Sequence, residues 1–212
     1  MIGSFITGTD THVGKTVLSA LLVAALDGMY WKPVQTGTSE GMDRESVRAW
    51  AGVPQERTWP ERYHFDPPVS PHLASRLAEV RIALDAFEFP DAPAGLPWIV
   101  EGAGGVMVPL NERDLMRDLM RRLGLPVVVA ARTALGTINH TLLTLAALRE
   151  AHLHVRGVVL IGEENAENRR AIEHYGDIRV IGQIPMIERI HRAALLEVFE
   201  KRFDREAFLT AL

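Results

Sequence analysis

Residues 8–16 read GTDTHVGKT and follow the apolar run IGSFIT. Gly14-Lys15-Thr16 at a strand-to-helix turn can hold phosphate. The amides of Gly14, Lys15 and Thr16 point outward at a helix N-terminus, where the dipole favours an anion. Lys15 can reach terminal phosphates, and the Thr16 hydroxyl can bind Mg2+. The usual spacing puts a glycine five positions before Gly14, but Thr9 stands there and the glycine falls at Gly8. The loop is therefore a phosphate loop of a particular kind. Glu101, after the apolar run WIV, supplies a carboxylate for Mg2+, directly or through water. An unpaired buried carboxylate is costly, which argues for a role there. The glycines of EGAGG (residues 101–105) let the backbone approach a ligand closely.

Other residues are less specific by themselves. Lys32, between Trp31 and Pro33, reads as a surface lysine whose stem packs and whose ammonium reaches water. Asp43, just before RESVRAW, reads as a helix cap. Thr137 reads as the N-cap of a long helix, with the amides of Gly136 to Asn139 open. His72 and His140 read equally well as buried hydrogen-bonding residues.

These residues need a scaffold that brings them to one edge. Strands are expected at IGSFIT, MYWKPV, PWIVEG, LPVVVAAR, VRGVVLIG and IRVIGQIP. Helices are expected from Lys15 to about Leu26, over DRESVRAWAG, PHLASRLAEV and RDLMRDLMRRLG, from about Thr137 to Ala151, near ENRRAIEHYG, and from Arg189 on. Pro54 to Pro71, rich in proline, aromatic and charged residues, reads as a long loop. Strands apolar throughout, alternating with helices, indicate a doubly wound, mostly parallel α/β sheet covered on both faces. Ligands in such a sheet bind beyond the C-terminal strand ends. No repeat or linker interrupts the pattern, so residues 1–212 are expected to form a single domain.

Composition narrows the function classes. A net charge of −4 over 212 residues lacks the basic footprint of a nucleic-acid binder. The absence of cysteine removes disulfides and thiolate metal sites. No apolar stretch is long enough to span a bilayer and no signal peptide is evident, so a cytoplasmic location without membrane association is expected.

Five blocks in order resemble the dethiobiotin synthetases: GTDTHVGKT, WKPVQTG, PPVSPHLAS, VEGAGG followed by PL, and LGTINHTLLT, with GQIP a weaker sixth. They span Gly3 to about Pro185. The resemblance implies a ligase of biotin biosynthesis that uses ATP and Mg2+, CO2 or bicarbonate, and 7,8-diaminopelargonic acid. It also implies a homodimer with the substrate site at its interface. Lys15, Lys32 and Thr11 are then the catalytic residues, and Thr16, Asp43 and Glu101 the metal ligands.

Nucleotide is expected at Gly8, Asp10, Thr11, His12, Val13, Gly14, Lys15, Thr16 and Val17. Glu101, Gly102 and Gly104 belong to the same set, with Ile161, Gly162, Ile184 and Pro185 on the base side. Substrate is expected at Thr11, Lys32, Thr36, Gly104, Gly105 and Val106. Its tail carboxylate falls at Gly136, Thr137, Ile138 and Asn139.

The chain departs from the family at the base. The Asn that usually reads adenine is replaced near Ile161–Gly162, with Asn165 displaced, so looser base recognition resting on backbone near GQIP is expected. His12 stands where the family often has an acidic or small residue and reads as a solvent-facing loop residue. Two rival readings are a cobyrinate-type ATP-dependent amidase and a nucleotide-switched positioning ATPase. The first normally needs a glutaminase domain with a cysteine. The second needs an extra lysine early in the loop, where this chain has Thr9-Asp10-Thr11.

Overall fold

The computed structural model describes residues 2–89 and 95–209. Its main sheet has seven strands: β1 Gly3–Gly8, β2 Met29–Trp31, β4 Thr58–Trp59, β6 Trp98–Gly105, β7 Val127–Arg132, β8 Val155–Ile161 and β9 Val180–Ile184. Their spatial order is β4-β2-β6-β1-β7-β8-β9, and every pairing is parallel. A second sheet pairs β3 Val34–Thr36 with β5 Tyr63–Phe65. The helices are α1 Lys15–Leu26, α2 Asp43–Ala51, α3 Pro71–Leu77, α4 Met116–Leu123, α5 Thr137–Glu150, α6 Ala166–Gly176, α7 Arg192–Arg202 and α8 Glu206–Leu209.

The period-2 alternation of a strand sorts the apolar side chains into two cores. Phe5, Val100, Val127 and Val129 face one side, where Met116 and Leu119 of α4 and Leu145 and Leu148 of α5 cover them. Ile6, Tyr30, Ile99 and Val128 face the other, against Leu18, Leu21 and Leu22 of α1 and Leu195 of α7. Helix α1 is apolar nearly all round because it lies beneath a further layer, with α2 and α7 packed on it as well as the sheet. Arg192 ties that layer together by donating to the carbonyls of Ala51 (2.7 Å) and Ala24 (3.3 Å) at the ends of α2 and α1. The tail expected to be helical from Arg189 starts at Arg192, with the His191 ring accepting from the Ala194 amide.

The structure corrects three expectations. The segment 54–71 is not one long loop, for it holds β4 at the sheet edge and β5 of the second sheet. Its proline and aromatic content reflects short strands and a buried aromatic cluster: Tyr63 stacks on Phe65 and meets the edge of Phe87. The run MYWKPV is two strands, not one. Pro33 has no N–H to continue the ladder; the chain leaves the main sheet after Trp31, and the Pro33 carbonyl instead accepts from Arg62 and Tyr63 amides at 2.9 and 3.1 Å. Helix α4 begins at Met116 rather than near Arg113, because Asn111 Oδ1 accepts from the amides of Arg113 and Asp114, both at 2.8 Å. The Asp118 carboxylate then takes the Leu115 amide at 2.8 Å and sets the helix start.

Because α1 is buried on several sides, its core positions have little room to relax. Leu21, fully buried, is expected to cost about 2–5 kcal/mol when cut to alanine. Urea unfolding followed by circular dichroism should show that loss as a lower midpoint at unchanged slope.

Candidate active site

The site lies where the phosphate loop follows β1, between β6 and β7. Gly14 adopts φ +93°, a left-handed turn that feeds α1, and a Cβ there would lie 2.9 Å from Ile161 Cδ1. A side chain at this position would be both strained and crowded. His12 is exposed, as expected of a solvent-facing loop residue, and adopts a left-handed φ of +54°. Lys15 is buried, and its Nζ donates to the Asp10 carbonyl at 3.0 Å, bending the ammonium back over the loop. Burial lowers the Lys15 pKa, while Glu101 works against that shift. The Asp10 carboxylate accepts from the Thr11 amide and from Arg132, each at 2.8 Å. The Thr11 amide bond is the main cause holding its pKa below the ordinary value.

Register delivers the charged centre. Ile6 of β1 pairs with Glu101 of β6, and Tyr30 of β2 pairs with Ile99, so Glu101 sits one diagonal step from Tyr30 on the α1 face. Strand β6 continues to Gly105, so Glu101 is mid-strand rather than terminal. It is 1% exposed. Its Oε1 accepts from Thr16 Oγ1 at 3.0 Å and from Lys32 Nζ at 3.3 Å, and its Oε2 accepts from Tyr30 Oη at 3.0 Å. Lys32 is itself only 6% exposed and donates to Asp43 as well. The snorkelling reading of Lys32 therefore fails, since its ammonium is held between two carboxylates. Asp43 is the first residue of α2, with Met42 at the N-cap position and no side-chain cap, so its carboxylate serves Lys32 and not the helix end.

These groups face a cleft of about 470 Å3. From the expected set, Thr11, His12, Gly14, Lys15, Thr16, Val17, Lys32, Thr36, Asp43, Glu101 and Gly104 line it. Sequence reasoning missed Gln35, Ser46 and Trp50, which complete one wall. Only the side chains that helix α2 projects one and two turns after Asp43 could have suggested the last two. An adjoining cavity of about 360 Å3 takes in Asp10 and Gly105, with Ser70 and Pro71 of the SPH block. Its floor shares Thr11, His12, Thr36 and Gly104 with the first, so the two form a continuous trough.

Other expected residues lie apart from this cleft. Gly8 and Val106 line a third cavity of about 440 Å3 beside His140 and Leu143 of α5, and Val13 is a core residue. Gly102 is a packing glycine, since a Cβ there would lie 2.9 Å from the Phe5 ring. On the base side, the Gly162 amide donates to the Ile184 carbonyl at 2.9 Å and Gln183 donates to the Gly162 carbonyl at 2.9 Å, with Pro185 half-buried beyond. Asn165 caps α6 by accepting from the Asn168 amide at 2.9 Å. At the start of α5, Gly136 (φ +94°) is the N-cap, and Thr137 instead donates its hydroxyl back to the Arg132 carbonyl. The Thr137 amide is also taken, by the Ala134 carbonyl at 3.1 Å, which leaves Ile138 and Asn139 with first-turn amides. His140 is exposed and not buried, and His72 pairs through Nδ1 with Ser70 Oγ at 3.0 Å.

The donor set suits a hard cation: one hydroxyl and two carboxylates that already enclose an ammonium. Among the described residues no three Asp, Glu, His or Cys side chains converge as a metal cage. An ion here would complete its shell with nucleotide oxygens and water, as Mg2+ does in phosphoryl-transfer sites.

Burial by itself would lower the Lys32 pKa, but Glu101 and Asp43 outweigh it and raise the value above 10.5. The pairing therefore stabilises the fold fully below pH 10.5 and loses that contribution as pH rises through the raised folded value. Lys32→Met leaves Glu101 buried without its cation and should cost about 3–5 kcal/mol near neutral pH in metal-free buffer. Urea unfolding across a pH series should show the gap between variant and parent narrowing only at strongly alkaline pH.

Comparison with known proteins identifies the family. A family model described as an AAA domain matches residues 3–194. The ATP-dependent dethiobiotin synthetase BioD of Rhodopseudomonas palustris (strain BisB18) is 45% identical over 203 residues, covering 96% of each chain. That of Paramagnetospirillum magneticum is 49% identical over 195 residues, covering 92% of this chain and 93% of the relative. The biotin biosynthesis bifunctional protein BioCD of Bordetella avium is 48% identical over 194 residues, covering 91% of this chain but 41% of that protein. Among solved structures, a ParA family ATPase from Chlorobium tepidum aligns over 94% of this chain and 93% of its own, with TM-score 0.51 and 12% identity. A nucleotide-binding protein in complex with ADP from Archaeoglobus fulgidus aligns over 99% and 93%, with TM-score 0.53 and 12% identity. These two share the fold alone. With relatives at this identity along nearly its whole length, the chain belongs to the ATP-dependent dethiobiotin synthetase family.

Proposed function

We propose that this protein joins 7,8-diaminopelargonic acid and CO2 into dethiobiotin at the expense of ATP, as a step of biotin biosynthesis in the cytoplasm. The observation that carries the reading is the position of Lys32. It is a buried lysine held by Glu101 and Asp43 in the cleft that the phosphate loop opens onto, with Thr36 on the same wall.

The chemistry proceeds in three steps. One substrate amine captures CO2 as a carbamate. A carbamate oxygen attacks the γ-phosphorus and expels ADP, giving a carbamic–phosphoric anhydride. The second amine then attacks the carbonyl carbon and expels phosphate, and the ureido ring closes. The substrate supplies both nucleophiles, so the protein positions groups and neutralises charge. Lys15 and the loop amides hold the β- and γ-phosphates. Lys32 faces the oxygens shared between carbamate and phosphoryl group, and Thr11 and Thr36 orient the diamine end. Gly104 and Gly105 line the trough toward the third cavity, where Val106 lies, and the aliphatic part is assigned to that path. Mg2+, held by Thr16, Asp43 and Glu101 together with the nucleotide, would draw negative charge from the phosphate oxygens.

The tail carboxylate of the substrate is assigned to the first turn of α5, where the amides of Ile138 and Asn139 meet the positive end of the helix. In a homodimer that turn belongs to a second copy of the chain. The base is assigned to the region of Ile161, Gly162, Ile184 and Pro185. Three backbone groups there, the Gly162 amide and carbonyl and the Ile184 carbonyl, are already paired and Asn165 serves as a cap, so few groups remain to read a base edge.

Product formation should require Mg2+-ATP, bicarbonate and the diamine together, measured as ADP release with mass detection of dethiobiotin. ATP turnover indifferent to the diamine would sink the assignment and favour a positioning ATPase. Lys32→Ala should lower kcat by about 10^2- to 10^3-fold, as loss of one preorganised electrostatic contact does. CTP and GTP should support kcat/KM within about tenfold of ATP, the worth of one missing hydrogen bond. A much larger preference for ATP would mean that a group of this region does read the base edge, and would end the expectation of loose base recognition.

A further inference from the structure

We propose that Tyr30 is a positioning residue for Glu101: its phenol holds Oε2 so that Oε1 alone is presented to the cleft. The inference rests on the role of Glu101 given above and adds to it a residue that does not line the cleft. Tyr30 lies in β2, one diagonal step from Glu101 in β6, a separation that an aromatic side chain spans. Its ring is fully buried between α1 and the sheet, and its hydroxyl donates to Oε2 at 3.0 Å.

The two carboxylate oxygens thus have separate duties. Among the described residues Tyr30 is the donor to Oε2, while Thr16 and Lys32 both use Oε1. Held this way, Glu101 engages a cation through one oxygen and cannot rotate to offer both. A phenylalanine would keep the ring and its packing and remove only that donor.

The test is Tyr30→Phe beside Glu101→Gln, each folded by circular dichroism, with the β,γ-imido analogue of ATP bound. Mn2+ affinity is read by electron paramagnetic resonance, and the Mg2+ concentration for half-maximal turnover is read separately. Tyr30→Phe is expected to weaken Mn2+ and raise the Mg2+ midpoint by about 10- to 100-fold, as loss of a group orienting a metal ligand does. The KM for the diamine should stay unchanged, which a general loosening of the core would not give. Wild-type Mn2+ affinity in Tyr30→Phe, with Glu101→Gln impaired, would overturn the role of Tyr30 alone. Intact affinity in Glu101→Gln would overturn the metal reading of Glu101 and this proposal with it.

If Tyr30→Phe does not fold, tyrosine labelled with 13C at Cζ in a Tyr63→Phe, Tyr175→Phe background reports the bond itself. The Cζ shift should move on Glu101→Gln and stay in place when the analogue and Mg2+ bind. A shift on loading that matches Glu101→Gln would show the bond broken in the working state and would end the proposal.

Discussion

A carboxylate on a central strand of a parallel sheet is costly unless every oxygen is answered. Glu101, 1% exposed in the strand beside β1, imposes that demand on its surroundings. Three side chains meet it from three different elements: Thr16 from the first turn of α1, Tyr30 from β2 and Lys32 from the break that follows β2. Asp43 balances the second half of the Lys32 charge. Each partner is buried or half-buried because the next one is present. Removal of Lys32 would leave the buried Glu101 carboxylate without its cation.

This demand explains features that would otherwise look unrelated. Strand β2 stops at Trp31 because Pro33 ends the ladder, and the turn aims the Lys32 ammonium back across the strand ends. The second sheet, β3 with β5, exists to receive the chain as it leaves, and it sets Thr36 at the same wall. Two aromatic groups pack in the core on that side, Trp31 against Trp98 and Tyr63 against Phe87. Helix α2 begins with Asp43 facing Lys32, although no side chain caps its end. Local preferences yield here to a charge that must be matched.

The phosphate loop was legible because its function depends on backbone conformation, and glycine at a left-handed turn is visible as a residue type. The alternation of apolar runs likewise exposed the sheet, its parallel sense and its two covered faces. Lys32 was not legible by its own residue type. A lysine beside a proline is usually solvated, and only the meeting of Asp43 and Glu101 around it reverses that. Tyr30 passed as one apolar residue of a strand, since nothing in MYW marks a hydroxyl with a buried acceptor 71 positions away. The loop expected over 54–71 failed for a similar reason: strands of two and three residues carry no period to read. Thr137 and Asp43 both looked like caps by type and position, but the side chains found stronger partners elsewhere.

What the sequence determined by itself was therefore the local and the periodic: the phosphate loop, the order of strands and helices, and which faces are apolar. These follow from backbone sterics and side-chain spacing within a few residues. Tertiary structure alone decided the pairings of charge. Whether an ion is buried, which oxygen meets which donor, and whether a carboxylate caps a helix or holds a lysine all depend on groups far apart in the chain. Those choices are settled by desolvation, and desolvation is a property of the packed fold and not of any segment.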